Sequence, residues 1–272
     1  MSVAPAFTDR FTNHVGYESI RTAPRAASSW IACRPDLLDE RGNLHPAVIG
    51  YLVDSTAGVA CGMAAVPNWV VTADLQFRIV HATTVGPLRA DAVAVRPGRR
   101  QSLGEVRVVD EGAAEQLVAL GTVNHLVIAK DDDLDVPADM PIGVRYGPAD
   151  PLETAPASLI EHFGLRRDPG SATAELDVVG DAVNPLGILH GGLLSLLATS
   201  AGELSCTDAE RRRVGDVVLR FVGSLPRDRV ARATAELVAA DPACTVARVV
   251  ITDPTDEKAR TGAFASVGFV PV

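Results

Sequence analysis

Two stretches of the chain are apolar around the full circumference of a helix. In the first, Ala47, Val48, Ile49, Leu52, Val53, Ala57, Val59 and Ala60 follow Pro46; in the second, Leu193, Leu194, Leu196, Leu197, Ala198 and Ala201 follow a Gly-Gly pair. A helix with no polar face must be enclosed by other elements. Downstream of each, apolar and polar residues alternate with period two, as in half-buried strands. The first half reads VVTADLQFRIV over 70–80 and ADAVAVRPGRRQSLGEVRVVD over 90–110; the second reads VGDVVLRFVGSL over 214–225 and ARATAELVAADPACTVARVVITD over 231–253. A strongly curved antiparallel sheet wrapped around one central helix would enclose each helix, so the pattern predicts an α+β fold.

The halves answer each other. DERGNLHPAVIGYLVDSTAG (39–58) matches NPLGILHGGLLSLLATSAGE (184–203), with His45 and His190 145 positions apart, and Asp110 and Asp253 close equivalent strands 143 apart. Such an offset is the mark of an internal duplication. The run DDDLDVPADMPIGVRYGPADPLETAP (131–156), acidic and proline-rich, reads as the joint, with a short helix expected at 157–163. The expected organisation is therefore a lead-in at 1–29, a first repeat at 30–130, the linker at 131–156 and a second repeat at 157–272.

Composition narrows the partners. With 25 Lys+Arg against 34 Asp+Glu in 272 residues, the net charge of -9 disfavours a nucleic-acid partner. Lys130 and Lys258 are the only lysines, an arginine bias associated with high-GC bacterial coding. The cysteines, Cys33, Cys61, Cys206 and Cys244, show no metal-ligand spacing and read as reduced thiols. The beginning of the chain lacks a secretory pattern, so a cytoplasmic location is expected. The apolar run 46–72 approaches the length of a membrane span, but glycines, Pro67 and Asn68 interrupt it and no basic flank orients it, so a membrane is not expected. No Walker, Rossmann, zinc or G-x-S-x-G pattern occurs, so no metal or cofactor is expected.

Three features could carry chemistry. Gly191 and Gly192 open the second helix, where N–H groups lack intrahelical acceptors and the helix dipole favours negative charge; Asn184 adds an amide in the preceding loop. The same residues would also make a plain tight turn with Asn as its local cap. Asp54 is a carboxylate within an apolar helix, either a perturbed base or an acid that reaches solvent or an arginine. Arginine clusters at Arg89, Arg96, Arg99 and Arg100 and at Arg211, Arg212 and Arg213 have the charge to hold phosphates, or are solvated turns.

The segment NPLGILHGGLLSLLA resembles the hotdog-fold acyl-CoA thioesterases of the phenylacetate-pathway and 4-hydroxybenzoyl-CoA type, and the likeness extends over 30–130 and 157–272. It implies a tandem, double hotdog that hydrolyses an acyl-CoA to free acid and CoA. In that family the carboxylate stands nine positions after the motif histidine, as Asp54 does after His45. Each site is shared between two units, donors from one and carboxylate from the other. The first half has Asp39 and Pro46 where the motif wants Asn and Gly, and the second has Thr199 where it wants the acid. The resemblance therefore implies one composite site per chain: Asn184, His190 and Gly191 with Asp54 as base or nucleophile, and Thr72 as the hydroxyl that helps hold water. The opposite corner, with Asp39, Pro46, Thr199 and Val214, would be inactive, although Glu203, one turn past Thr199, is a rival carboxylate there. CoA phosphates would fall to Arg99, Arg100, Arg211 or Arg212. Two other readings are a noncatalytic acyl or acyl-CoA binding protein and an enoyl-CoA hydratase or dehydratase on the same fold. Edge strands would invite pairing of two such chains into a homodimer.

Overall fold

The structure, a computed structural model, describes residues 4–7, 10–129, 140–148, 157–206, 208, 211–241, 244–258 and 260–272. The first half contains β1 (Ala4–Phe7), α1 (Arg10–Val15), β2 (Glu18–Ala23), β3 (Ala26–Ile31), α2 (Pro46–Ala65), β4 (Trp69–Ile79), β5 (Leu88–Pro97), β6 (Gln101–Asp110) and β7 (Gln116–Ile128). The second contains β8 (Arg145–Pro148), α3 (Leu159–His162), β9 (Arg166–Asp168), β10 (Thr173–Asp177), α4 (Gly191–Ser205), β11 (Arg212–Phe221), β12 (Val230–Ala240), β13 (Thr245–Thr252) and β14 (Thr261–Pro271). All strands form one sheet in the order β1-β8-β2-β3-β5-β6-β7-β4-β11-β14-β13-β12-β10-β9. Every pairing is antiparallel except β1 with β8.

The alternation seen in the sequence is the alternation of burial: along β6, exposed and buried residues succeed one another from Gln101 to Val108. The inward residues of β3 to β7 cover α2, and those of β10 to β14 cover α4. Close approach needs small residues on the strands. A Cβ at Gly104 would lie 2.9 Å from the Ala57 methyl, and one at Gly121 only 2.5 Å from Val53, so side chains there would push the sheet off the helix. α2 is long and apolar enough to cross a membrane by length and composition, and 67% of that stretch is buried inside the protein. All four cysteines are unpaired.

The halves meet where β4 pairs antiparallel with β11, Asp216 opposite Arg78 and Leu219 opposite Leu75. Outward from that seam the first six strands follow the same order on both sides, β8 and β1 extending the β4 side alone, and the loops before the helices repeat bond for bond. Asp39 Oδ1 accepts the N–H groups of Arg41 and Asn43, while Asn184 Oδ1 accepts those of Leu186 and Ile188. Gly42 and Gly187 take the same left-handed turn, with φ of 76° and 73°.

The repetition reaches further toward the amino terminus than the sequence reading placed it. The segment 10–29, expected to be a lead-in, supplies α1, β2 and most of β3, which join the sheet because β2 pairs with β3 and β3 with β5. Near its start, Asn13-His14-Val15-Gly16-Tyr17 matches Glu161-His162-Phe163-Gly164-Leu165, again with a left-handed glycine in each. Of the expected linker 131–156, residues 140–148 include β8, which pairs with β1 and β2; the remainder lies outside the described residues.

This end of the molecule contains a stack of the two equivalent histidines, His14 and His162, with ring centroids 4.1 Å apart. His14 is 2% exposed, and burial, reinforced by His162 and opposed by Asp36, lowers its pKa to about 4. Burial also lowers His45 and His125 to about 4. These groups are neutral when folded and titrate near 6.5 when unfolded, so the unfolded chain binds more protons between those values. Their contribution is complete above pH 6.5 and is lost as pH falls toward 4, on the order of 2–3 kcal/mol for each. Thermal denaturation followed by circular dichroism between pH 7 and 4.5 should therefore show a smaller loss of Tm in His14→Phe than in the unsubstituted protein. Equal slopes would show that His14 is not the group titrating.

Candidate active site

α2 and α4 begin alike. His45 caps α2 by accepting the Ala47 N–H on Nδ1 at 3.1 Å, and His190 caps α4 by accepting the Gly192 N–H at 3.0 Å. Both caps are extended, with ψ of 134° and 137°. The difference lies at the first helical residue. Pro46 has no N–H, whereas the N–H of Gly191 has no intrahelical acceptor and no hydrogen-bond partner among the described residues. The preceding loops differ in the same sense. Asp39 and Asn184 make the same turn through Oδ1, but only Asn184 has an amide nitrogen, which is unpartnered among the described residues. Asn184 is thus the local cap of its turn and retains a donor. His190 is a capping residue that sets the start of α4.

Asp54 lies on α2 and reaches the start of α4. A Cβ at Gly191 would stand 3.3 Å from Asp54 Oδ2, so this carboxylate and the free N–H belong to one small space. Thr72 on β4 donates its hydroxyl to Asp54 Oδ1 at 2.8 Å. Burial pushes the Asp54 carboxyl up to about 6, against the lowering effect of the Thr72 hydrogen bond. Four of the five residues singled out in the sequence, Asp54, Thr72, His190 and Gly191, are therefore neighbours, while the bonds of Asn184 stay within its own turn, in the loop that leads into α4.

Aromatic residues that sequence reasoning did not pick out complete this corner. Phe11 stacks on His190 with ring centroids 4.6 Å apart and sits so close to α4 that a Cβ on Gly192 would be 2.5 Å from its ring. Tyr51 lies edge-on to Phe11 at 4.9 Å and is held by Thr12 through a 2.6 Å hydrogen bond. Phe221 would be 3.8 Å from a Cβ on Gly191. The signal for Phe11 was present as the repeated His-x-Gly segment 13–17, which places its neighbourhood in the first unit.

The arginines separate into tied and untied groups. Arg89 is held by Asp91, Glu111 and Glu115, and Arg213 donates to the carbonyls of Ile79 and Val80. Arg212 does not belong to an exposed cluster as expected: it is 8% exposed, bonded to Asp208 and to the Asp241 carbonyl, and it lines a cavity at the opposite corner. Arg96, Arg99 and Arg100, around the β5–β6 hairpin, and Arg211 before β11 are exposed. At the opposite corner Thr199 is buried and donates to the Ser195 carbonyl, and Val214 is apolar and buried, so neither supplies a base. Glu203 does face the proline-bearing loop, in a cavity with Asp39 and His45, and burial pushes its carboxyl up to about 7. No cluster of three or more His, Cys, Asp or Glu side chains is placed to hold a metal ion among the described residues.

No family model and no curated protein matches the sequence. Solved structures do match. The tesB protein of Mycobacterium avium subs paratuberculosis superposes with a TM-score of 0.63 at 9% identity, over 97% of this chain and 98% of that one. The chain has the hotdog fold. An acyl-ACP thioesterase from Bacteroides thetaiotaomicron (TM-score 0.59, 12% identity, 90% and 98% coverage) shares this hotdog fold, as does the 12:0-ACP thioesterase from Umbellularia californica (0.59, 10%, 91% and 94%). At such identities the fold is what is shared, and the chemistry must be argued from the residues.

Proposed function

We propose that the protein is a thioesterase that hydrolyses acyl-CoA at a single composite site, built from two fused copies of a hotdog unit whose first copy begins near residue 10. The observation that carries the reading is the placement of the Asp54 carboxylate against the unpartnered N–H of Gly191. The thioester carbonyl oxygen accepts the Gly191 N–H, with the Asn184 amide as second donor. Asp54 removes a proton from water held with Thr72, and the water oxygen bonds to the carbonyl carbon. The negative charge that develops on the carbonyl oxygen is met by donors at the positive end of α4. Collapse of this intermediate breaks the carbon–sulfur bond, and the proton on Asp54 passes to the thiolate, leaving free acid and thiol. The inherited features of the phenylacetate-pathway type, the motif glycine and the acid nine positions after a motif histidine, survive in different halves and meet only across the interface.

The test is release of free thiol from a panel of aliphatic and aromatic acyl-CoAs; binding without turnover of any of them would reduce the protein to a binding module. The site also sets a pH dependence. A base with a pKa near 6 is protonated below that value, so kcat/KM should fall about tenfold per pH unit below 6 and level off above it. Because the Thr72 hydrogen bond lowers the Asp54 pKa, Thr72→Val should move this limb to higher pH, and an unmoved limb would show that another group titrates.

A further inference from the structure

A substrate that carries phosphates needs cations within reach of its reacting carbon, and the strand register decides which of the arginines expected to hold CoA qualify. Phe221, the last residue of β11, lies beside Gly191, whereas Arg212 begins the same ten-residue strand. At about 3.3 Å per residue, Arg211 and Arg212 are on the order of 30 Å from Gly191, and Arg212 faces Asp39 and His45 at the other corner. They are too far away to hold the same substrate.

The β5–β6 hairpin lies at the right end of the sheet. Thr72, which donates to Asp54, stands opposite His125 on β7, and His125 stands opposite Ser102 on β6. With neighbouring strands about 4.8 Å apart, Ser102 is about 10 Å from Thr72. Arg100 comes two residues before Ser102, and its carbonyl accepts the Val127 N–H. Arg99 and Arg100 are the central residues of a turn so tight that a Cβ at Gly98 would be 2.6 Å from the Gln101 carbonyl oxygen, and Arg96 stands opposite Leu103 where the strands enter that turn. All three arginines are exposed, and none has a side-chain partner among the described residues. Elsewhere at this end cations are matched: Arg220, Arg229 and Arg260 stand 3.7, 3.8 and 3.3 Å from Asp74, Asp253 and Asp256. The hairpin is therefore the place near Asp54 where several positive charges are crowded together and left open to an anion.

We propose that the hairpin is the subsite for the phosphates of CoA, with the guanidinium groups of Arg96, Arg99 and Arg100 on the diphosphate and the 3′-phosphate. A pantetheine arm has about a dozen bonds of about 1.5 Å between its sulfur and the diphosphate and extends to about 15 Å, which spans the gap from Asp54 to the turn. The assignment rests on the acyl-CoA reading of the Asp54 site and makes the nucleotide a handle for affinity, remote from the bond that breaks.

The test compares one acyl group carried by CoA and by pantetheine. The unsubstituted protein should show the lower KM for acyl-CoA, and the triple variant Arg96→Gln, Arg99→Gln, Arg100→Gln should bring the two KM values together, each arginine contributing about fivefold, the upper end for an exposed ion pair. Added salt should narrow the same gap. Calorimetric titration with CoA itself needs no turnover: Arg100→Gln should weaken binding about fivefold, and Arg211→Gln, at the far end of β11, should not weaken it. All these substitutions change exposed side chains, so the fold is preserved. Equal KM values for the two carriers in the unsubstituted protein, a gap that survives in the triple variant, absence of CoA binding, or equal losses of CoA affinity in Arg100→Gln and Arg211→Gln would each overturn the proposal. If no thioester is hydrolysed, the hydrolase reading fails while the titration still reads the subsite; if acyl-CoA is hydrolysed and the gap survives in the triple variant, the subsite fails alone.

Discussion

Asp54→Asn should lower the rate of thiol release by ~10²–10⁴-fold, the usual contribution of a positioned general base. The substitution is nearly isosteric and keeps an oxygen for the Thr72 hydroxyl, so the geometry around Gly191 survives while the proton acceptor is gone. Stability should move the other way. The carboxyl pKa is raised to about 6 by burial, so above that pH the folded protein maintains a charge that its surroundings disfavour. A raised carboxyl stabilises the fold only where it is protonated, and that benefit is lost as pH rises toward 6. Removing the charge should thus add on the order of 1–2 kcal/mol at pH 8, seen as a higher Tm. Steady-state kinetics with thermal melts on the same preparation check both parts. A folded variant with unchanged turnover would falsify the role of Asp54.

Gly191→Pro should cost ~10²–10³-fold in turnover, the loss typical of one oxyanion donor. Proline is well tolerated at the first position of a helix, and this chain demonstrates it at Pro46, in the same place on the sister helix. The residue before it must be extended, and His190 already has φ -64° and ψ 137°, close to the -59° and 134° of His45 before Pro46. The ring carbons would come within about 3.3 Å of Asp54 Oδ2, so Gly191→Ala, which keeps the N–H and adds a similar contact, is the control. If the alanine variant loses as much activity as the proline variant, crowding of the carboxylate rather than loss of the donor is responsible. If both retain full activity, the N–H does not polarise the substrate.

The contrast between the corners explains why one acid was identifiable in advance and the cavity was not. Asp54 declared itself because a carboxylate in an apolar helix is anomalous wherever the helix packs. Glu203 carries the same anomaly, yet its meaning depends on what stands opposite: Asp39, His45 and Arg167 come from distant parts of the chain. Arg212 is an ordinary arginine in sequence, and its burial beside Asp208 and the Asp241 carbonyl comes from packing alone. Phe11 likewise belongs to a helix too short to show periodicity, and it acquires a place beside His190 from the strands that follow it.

Local pattern sufficed for the two enclosed helices, the hairpins after them, the internal offset of 145 and the proline–glycine difference between the helix starts, because each depends on periodicity or on the covalent nature of one residue. Strand order across the seam, the pairing of β4 with β11, the reach of the first unit back to residue 10 and the meeting of Asp54 with Gly191 depend on contacts between residues far apart in sequence. Those contacts are selected by the joint burial of two helices under one continuous sheet, a property of the assembled core that no single segment encodes.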